Sequence, residues 1–579
     1  MSRLILLVFL GLTISGASCD NGPCDRDTSP LLNNFHPTGG QTLAASTDQQ
    51  FFVSANVHEN SLTLLRGSDL QKLDRLEGAS EPERVAPLGD GFVVTLRGER
   101  ALAKVRVSGN KLIMTDTVAT GAEPVGLVTD EQGQRVFVAA SQSGVVEERD
   151  GNTLEVKRSF RIDHEPRWLA LHPSGQTLYV ATAMGGHLVI VDLVSGRVQE
   201  HQLPTVSTFT QERGDTVPRA KRITGDMAVR TNGKELLIPV LYIDNINPID
   251  ADPDEEEACE PDHDGCGGGD GYGSSSSGKR FIGTVTTVNV DKTGKPTGEG
   301  RVQELEIQSD QANVVRGGYA SSISVHPTQD IGFATLESSD TLIAFELSAS
   351  ETECTYGTPA DSNGEDGFFG SSGGADSDPM MRVPEPAGVG DFVPLANLRG
   401  MGTSRGPSGV AFTPQGDILV HARIDRVVER VANDRLNPRR SRAHMERPMG
   451  DWSSQTPAQS QSLEGRLLDP SITAGMHLFF SNTDAKMSGH NVNVGCSTCH
   501  FDGRNDGLTW VFADGPRQTP SLAGDVSQTE PVTWRDDVET VADEVRLTSQ
   551  GRMGGAGISA TETTAVTDYI NWRRHVDLP

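Results

Sequence analysis

His172-Pro173-Ser174-Gly175-Gln176-Thr177-Leu178-Tyr179-Val180-Ala181-Thr182 is followed by Gly185-Gly186, by Leu188-Val189-Ile190-Val191-Asp192 and by Ser195-Gly196. A polar turn leads into a β-rich run, a glycine turn follows, and a second run ends in another turn. Such punctuation reads as short antiparallel strands. Six other stretches repeat the opening turn and run. The turns begin near Asp48, Asp90, Asp130, Thr231, His326 and Thr413, and their runs include Phe51-Phe52-Val53, Phe92-Val93-Val94, Val136-Phe137-Val138, Leu236-Leu237-Ile238, Ile331-Gly332-Phe333 and Ile418-Leu419-Val420. Successive turns are 42, 40, 42, 59, 95 and 87 residues apart along the chain. The first three steps match the ~40–45-residue period of a four-stranded propeller blade. Two of the longer steps carry insertions, near 244–279 and 350–379. Seven turns predict seven blades over residues 45–432. A sandwich or two separate β-domains would not need so regular a spacing.

The Tyr179-Val180-Ala181-Thr182 core resembles the YVTN-type β-propeller repeats of bacterial surface and periplasmic proteins. The expected fold class is therefore mainly β, a seven-bladed β-propeller, followed by a small all-α domain at 466–579. Residues 20–44 read as a tether, dense in Asn, Asp, Pro and Gly. Residues 433–465 read as a linker, with clustered arginines and then a Ser/Gln/Thr-rich stretch.

Cys496-Ser497-Thr498-Cys499-His500 occurs once in 579 residues. Composition alone would produce this pattern about 0.002 times. On one helical turn the two thiols reach the two vinyl groups of a haem, and the next residue sets an imidazole under the iron. A redox C-x-x-C needs a βαβ setting that this region lacks, and a zinc site would need further ligands nearby. Helices are expected at Pro470–Ser481, where Gly475 and Phe479 suit close packing, and at Thr561–Arg574, with Ser559 as N-cap before Glu562.

The run from Cys499 through His500-Phe501-Asp502-Gly503 to Arg517-Gln518-Thr519-Pro520-Ser521-Leu522, with the later Arg552-Met553-Gly554-Gly555, resembles the haem domains of bacterial di-haem cytochrome c peroxidase-like proteins. It departs from them in having one haem motif. The resemblance implies a single covalent haem c at residues 466–579, with His500 and Met553 as axial iron ligands. Met487, His490, His477 and His575 compete with Met553. Arg517 is a candidate partner for a haem propionate. A His/Met iron is closed and suits electron transfer, whereas an open iron would suit peroxidase-like chemistry. The expected function is electron transfer, with the propeller binding a redox partner protein or a small substrate. The alternatives are a haem-dependent oxidoreductase and a cell-surface binding protein.

The formal net charge is −29. A chain so acidic is not expected to bind nucleic acid, which needs a basic face. Residues 1–19 read as an export signal: Arg3, an apolar run from Leu4 to Ile14, then Gly16-Ala17-Ser18-Cys19. The segment resembles a bacterial lipoprotein signal, although Gly16 stands where that family prefers Leu. It implies an extracytoplasmic protein lipid-anchored at Cys19. With three of seven cysteines assigned to lipid and haem, four remain, an even number suited to an oxidising compartment. They allow three pairings, of which Cys259–Cys266 with Cys24–Cys354 is preferred because the first closes a short loop. The acidic Asp250–Glu257 stretch fails the EF-hand pattern and reads as a solvated loop.

Overall fold

The runs that opened the sequence reading form the second strand of each blade in a computed structural model of the chain. The structure describes residues 39–210, 214–249, 274–275, 278–305, 307–308, 315–316, 318–347, 399–432, 459–465, 468–489, 492, 494–512, 515–533 and 538–573. The export signal, the four cysteines outside the C-x-x-C turn and Cys19, the acidic loop, the second insertion, His490 and His575 lie outside these residues.

Blade 1 runs from Leu43–Ala45 through Phe51–Asn56 and Ser61–Arg66 to Lys72–Glu77. Blades 2, 3 and 4 begin at Pro82–Leu88, Pro124–Thr129 and Pro166–Leu171, and each adds three antiparallel strands in chain order. Proline is tolerated at the first residue of a strand, where no ladder donor is needed. In blade 5 the opening strand is broken into Ala220–Ile223 and Ala228–Val229, both paired with Glu235–Ile243. Blade 6 starts at Ser322–Val325 and blade 7 at Pro407–Phe412. The first insertion joins the second and third strands of blade 5, and the second joins the last two strands of blade 6. The 59-residue step between blades 4 and 5 has its own cause, a hairpin of Ser207–Thr210 with Asp215–Pro218.

Period-two alternation explains why seven blades make one ring. On adjacent positions of blade 1, Val53 packs toward blade 2 with Val85 and Phe92, while Phe52 packs toward blade 7 with Ala411 and Leu419. The same arrangement places an apolar cluster between every neighbouring pair of blades. Each strand is therefore buried on both faces except at the rim, where Val198–His201 is largely exposed.

Two boundaries differ from expectation. The seventh blade does not end at 432: its outer strand is Gln459–Ser462, inside the stretch expected to be linker, and it pairs with Val427–Val431. An outermost strand buries little, so a Ser/Gln run can serve. The tether also ends early. Gly39 and Gln41 form bridges to Val128 of blade 3 and Val85 of blade 2. The Gln41 amide donates to Ser324 Oγ at 2.8 Å in blade 6, and its carbonyl oxygen accepts from Val410 N at 2.8 Å in blade 7. Gln41 thus crosses the axial channel. Thr42 lines a cavity of about 300 Å³ on one side, and Gln41 lines one of about 250 Å³ on the other.

The C-terminal region contains α1 (Pro470–Phe480), α2 (Cys496–Cys499), α3 (Val541–Leu547) and α4 (Ala560–Trp572). Both expected long helices are present within two residues. Asp469 caps α1, and Ser559 with Glu562 forms a capping box on α4. A Cβ on Gly475 would lie 1.9 Å from Ala565 O, so only glycine lets these helices cross so closely. Phe479 packs on Tyr569 with ring centroids 5.2 Å apart. The region is not all-α, because Thr509–Phe512 and Gly515–Gln518 form a hairpin. That hairpin extends the propeller: Phe512 bridges Ile249, and Trp510 packs with Leu241, Ile243 and Tyr319. Among the described residues no helix is long and apolar enough to cross a membrane.

Candidate functional site

Cys496 and Cys499 are both free thiols on the single turn of α2. Burial pushes the Cys496 thiol up to about 12, and burial with the nearby Asp506 charge raises Cys499 further. Both stay protonated at neutral pH. A reactive C-x-x-C depends on a depressed thiol, so these two lack its electrostatics. Among the described residues no group of three or more His, Cys, Asp and Glu could hold a metal ion.

His500 closes the turn. Its Nδ1 lies 3.0 Å from Pro520 O and 3.3 Å from Arg504 O. Both partners are carbonyls and can only accept, so Nδ1 carries the proton. Burial, with Arg573 adding, lowers the imidazole to about 4, against Asp506 and the two carbonyls. The ring is therefore neutral at pH 7 with its lone pair on Nε2, as a ligating histidine held by an outer hydrogen bond requires.

Cys496 borders an apolar cluster that includes Met487, Val494, Leu522, Val541, Val545 and Met553. Met553 and Met487 are both essentially inaccessible, at 2 % and 0 % exposure. Their segments are tied together: Gly489 N donates to Met553 O at 2.8 Å, and Ser488 bridges Gly554. The structure thus brings Met553, and also Met487, into the cluster beside the C-x-x-C turn. His477 goes elsewhere, between Arg405 and Asp425 of blade 7. Arg517 sits on the hairpin and donates to Pro516 O at 3.0 Å. The donor set and the apolar lining fit a covalently attached haem: two unpaired thiols, one imidazole nitrogen kept free and a thioether in an apolar wall.

Sequence reasoning missed how this turn is docked. Asp502, at a left-handed φ of 54°, lines the cavity of about 300 Å³. It pairs with Arg97 of blade 2, Arg167 of blade 4 and Arg573 after α4. Burial opposes its ionisation, but Arg97 and Arg167 outweigh burial and hold the carboxyl well below its ordinary range. Arg504 pairs with Glu123 of blade 3 at 3.1 Å. Phe501 packs on Trp168 with centroids 5.7 Å apart. Gly503, at φ 71°, permits the backbone to reverse after Asp502. The cavity of about 300 Å³ lies beside this contact, lined by Arg84, Arg97, Arg423 and Trp572 among others, and it includes Ser497 of the C-x-x-C turn.

No family model matches the chain, and no curated protein matches it. Solved structures resemble its fold at low identity. Hydrazine synthase of Kuenenia stuttgartiensis is 16 % identical, with a TM-score of 0.47 over 68 % of this chain and 96 % of that one. A streptogramin B lyase is 10 % identical, with a TM-score of 0.37 over 68 % and 93 %. The Pan2 WD40 domain of Neurospora crassa is 12 % identical, with a TM-score of 0.32 over 55 % and 79 %. The seven-bladed propeller itself is read from the strand pairing of this chain.

Proposed function

We propose that the chain is an extracytoplasmic c-type cytochrome that transfers electrons through one haem c. Cys496 and Cys499 would attach the haem, and His500 and Met553 would ligate its iron. The observation that carries this reading is the fixed imidazole: Nδ1 is held by Pro520 O beside two unpaired thiols on one turn. The haem, when bound, supplies a one-electron iron couple. The chain's own residues do the rest. Pro520 and Arg504 carbonyls orient His500, the apolar cluster around Met553 excludes water, and Arg517 is the candidate for a propionate. The propeller would bind a redox partner or small substrate, with the cavity at the docked mouth as the nearest chamber. Export, and a lipid anchor at Cys19, rest on the leader sequence.

Oxidised and reduced visible spectra test the ligation. A ferric iron bound by a thioether gives a weak far-red charge-transfer band. That band is expected in the parent and absent in Met553→Ala. Its absence in the parent, with turnover of peroxide, would instead favour an open peroxidase-like iron. Its persistence in Met553→Ala but loss in Met487→Ala would move the ligand to Met487.

A further inference from the structure

Arg222 lies on the first strand of blade 5 and is 2 % exposed. Its Nε, Nη1 and Nη2 are buried with no hydrogen-bond acceptor among the described residues. What touches the guanidinium is aromatic. It sits 5.3 Å from the ring centroid of Phe501 and 5.7 Å from that of Tyr319. Both rings adjoin the C-x-x-C-H turn: Phe501 follows His500, and Tyr319 of the propeller donates its hydroxyl to Ser497 Oγ at 3.1 Å. Aromatic faces attract the cation but carry no carboxylate to pair with it.

The neighbouring arginines are different. Arg97, Arg167 and Arg573 share Asp502; Arg84 pairs with Asp226, Arg423 with Glu337 and Arg504 with Glu123. The other carboxylate near the turn is Asp506, which is buried and accepts from Trp510 Nε1 at 3.0 Å and from Leu508 N at 3.0 Å. It forms no ion pair with Arg222 among the described residues. A buried cation from the propeller, without an ion pair among the described residues, is thus packed against the ring that follows His500.

We propose that Arg222 is a positioning residue of the propeller that raises the reduction potential of the haem attached at Cys496 and Cys499. The proposal rests on the haem reading above. Reduction adds one electron and one negative charge at the iron, with no bond made or broken, and a fixed cation nearby favours that state. A fixed, buried unit charge near such a couple, at an effective dielectric of about 20, changes the equilibrium roughly tenfold. For a one-electron couple tenfold is about 59 mV. The docked propeller is thereby part of the redox centre as well as its support.

The test is a mediated redox titration of the full chain, followed by its visible spectrum, for the parent and for Arg222→Gln, Arg222→Met and Arg222→Lys. The Gln and Met variants are expected to shift the reduction equilibrium about tenfold toward the ferric form, and the Lys variant to stay near the parent. Thermal unfolding is measured in parallel, because a purely structural role would lower stability without moving the potential. Should Arg222→Gln not fold, Lys against Met still isolates the charge, since both lose the planar fork. Gln or Met variants with haem attached and the parental potential overturn the role of Arg222 alone. A parent that carries no covalent haem overturns the haem reading and this inference together.

Discussion

Arg97 and Asp502 stand 405 positions apart in the chain, yet the Arg97 Nη1 donates to Asp502 Oδ1 at 3.1 Å while its Nη2 meets the other carboxylate oxygen. The pair joins blade 2 to the residue two places after His500. Burial lowers Arg97, but Asp502 and Glu123 raise it well above its ordinary value, so both members stay ionised. The loop that carries the candidate iron ligand is therefore fastened to the propeller by charge.

Removing one member leaves buried charge behind. Asp502→Ala is expected to cost about 3–5 kcal/mol, the range for breaking a buried ion pair from one side. Urea unfolding of the parent and variant measures it. A loss below about 1 kcal/mol, typical of exposed pairs, would mean the contact is not closed to water.

Gly475→Val should separate α1 from α4, because the added Cβ would meet Ala565 O at 1.9 Å. Overpacking of this kind costs about 1–3 kcal/mol. The variant should unfold earlier in urea and show a weaker near-ultraviolet signal from Tyr569. Wild-type stability would contradict the crossing geometry.

Gln41→Ala removes the side chain that ties blades 6 and 7 across the channel and leaves Val410 N without its 2.8 Å acceptor. A buried donor so stranded costs about 1–3 kcal/mol. Hydrogen exchange at Val410 should quicken, while exchange in the outer strands should not.

Asp226 gives a pH dependence with a definite sign. Burial raises its carboxyl to about 6, against the pull of Arg84. A raised acid binds more protons folded than unfolded between its ordinary range near 4 and about 6. Its contribution to stability is therefore greatest below pH ~4 and is lost as pH rises through about 6. Asp226→Asn should flatten that part of the stability profile. An unchanged slope between pH 4 and 6 would contradict the assignment.

The sequence made legible what repeats locally. The second strands of the blades are continuous apolar runs because both of their faces are buried, so Phe51-Phe52-Val53 and its six counterparts announce themselves, as does C-x-x-C-H. The outer strand Gln459–Ser462 was hidden because a rim strand buries too little to leave an apolar pattern. Gly39–Thr42 was hidden because its channel pairing is made mostly by backbone and one amide. Asp502, Arg222 and Tyr319 were hidden because their partners come from distant blades, and no periodicity links residues so far apart in the chain.

On the proposed function, Cys496 and Cys499 hold one haem through thioether bonds. The most direct measurement is a pyridine haemochrome assay on the purified, denatured and acid-acetone-extracted chain. One haem per chain that resists extraction is expected, falling to loosely held or absent haem in the Cys496→Ala, Cys499→Ala double variant. No haem, two haems per chain, or haem that extracts fully from the parent would contradict it.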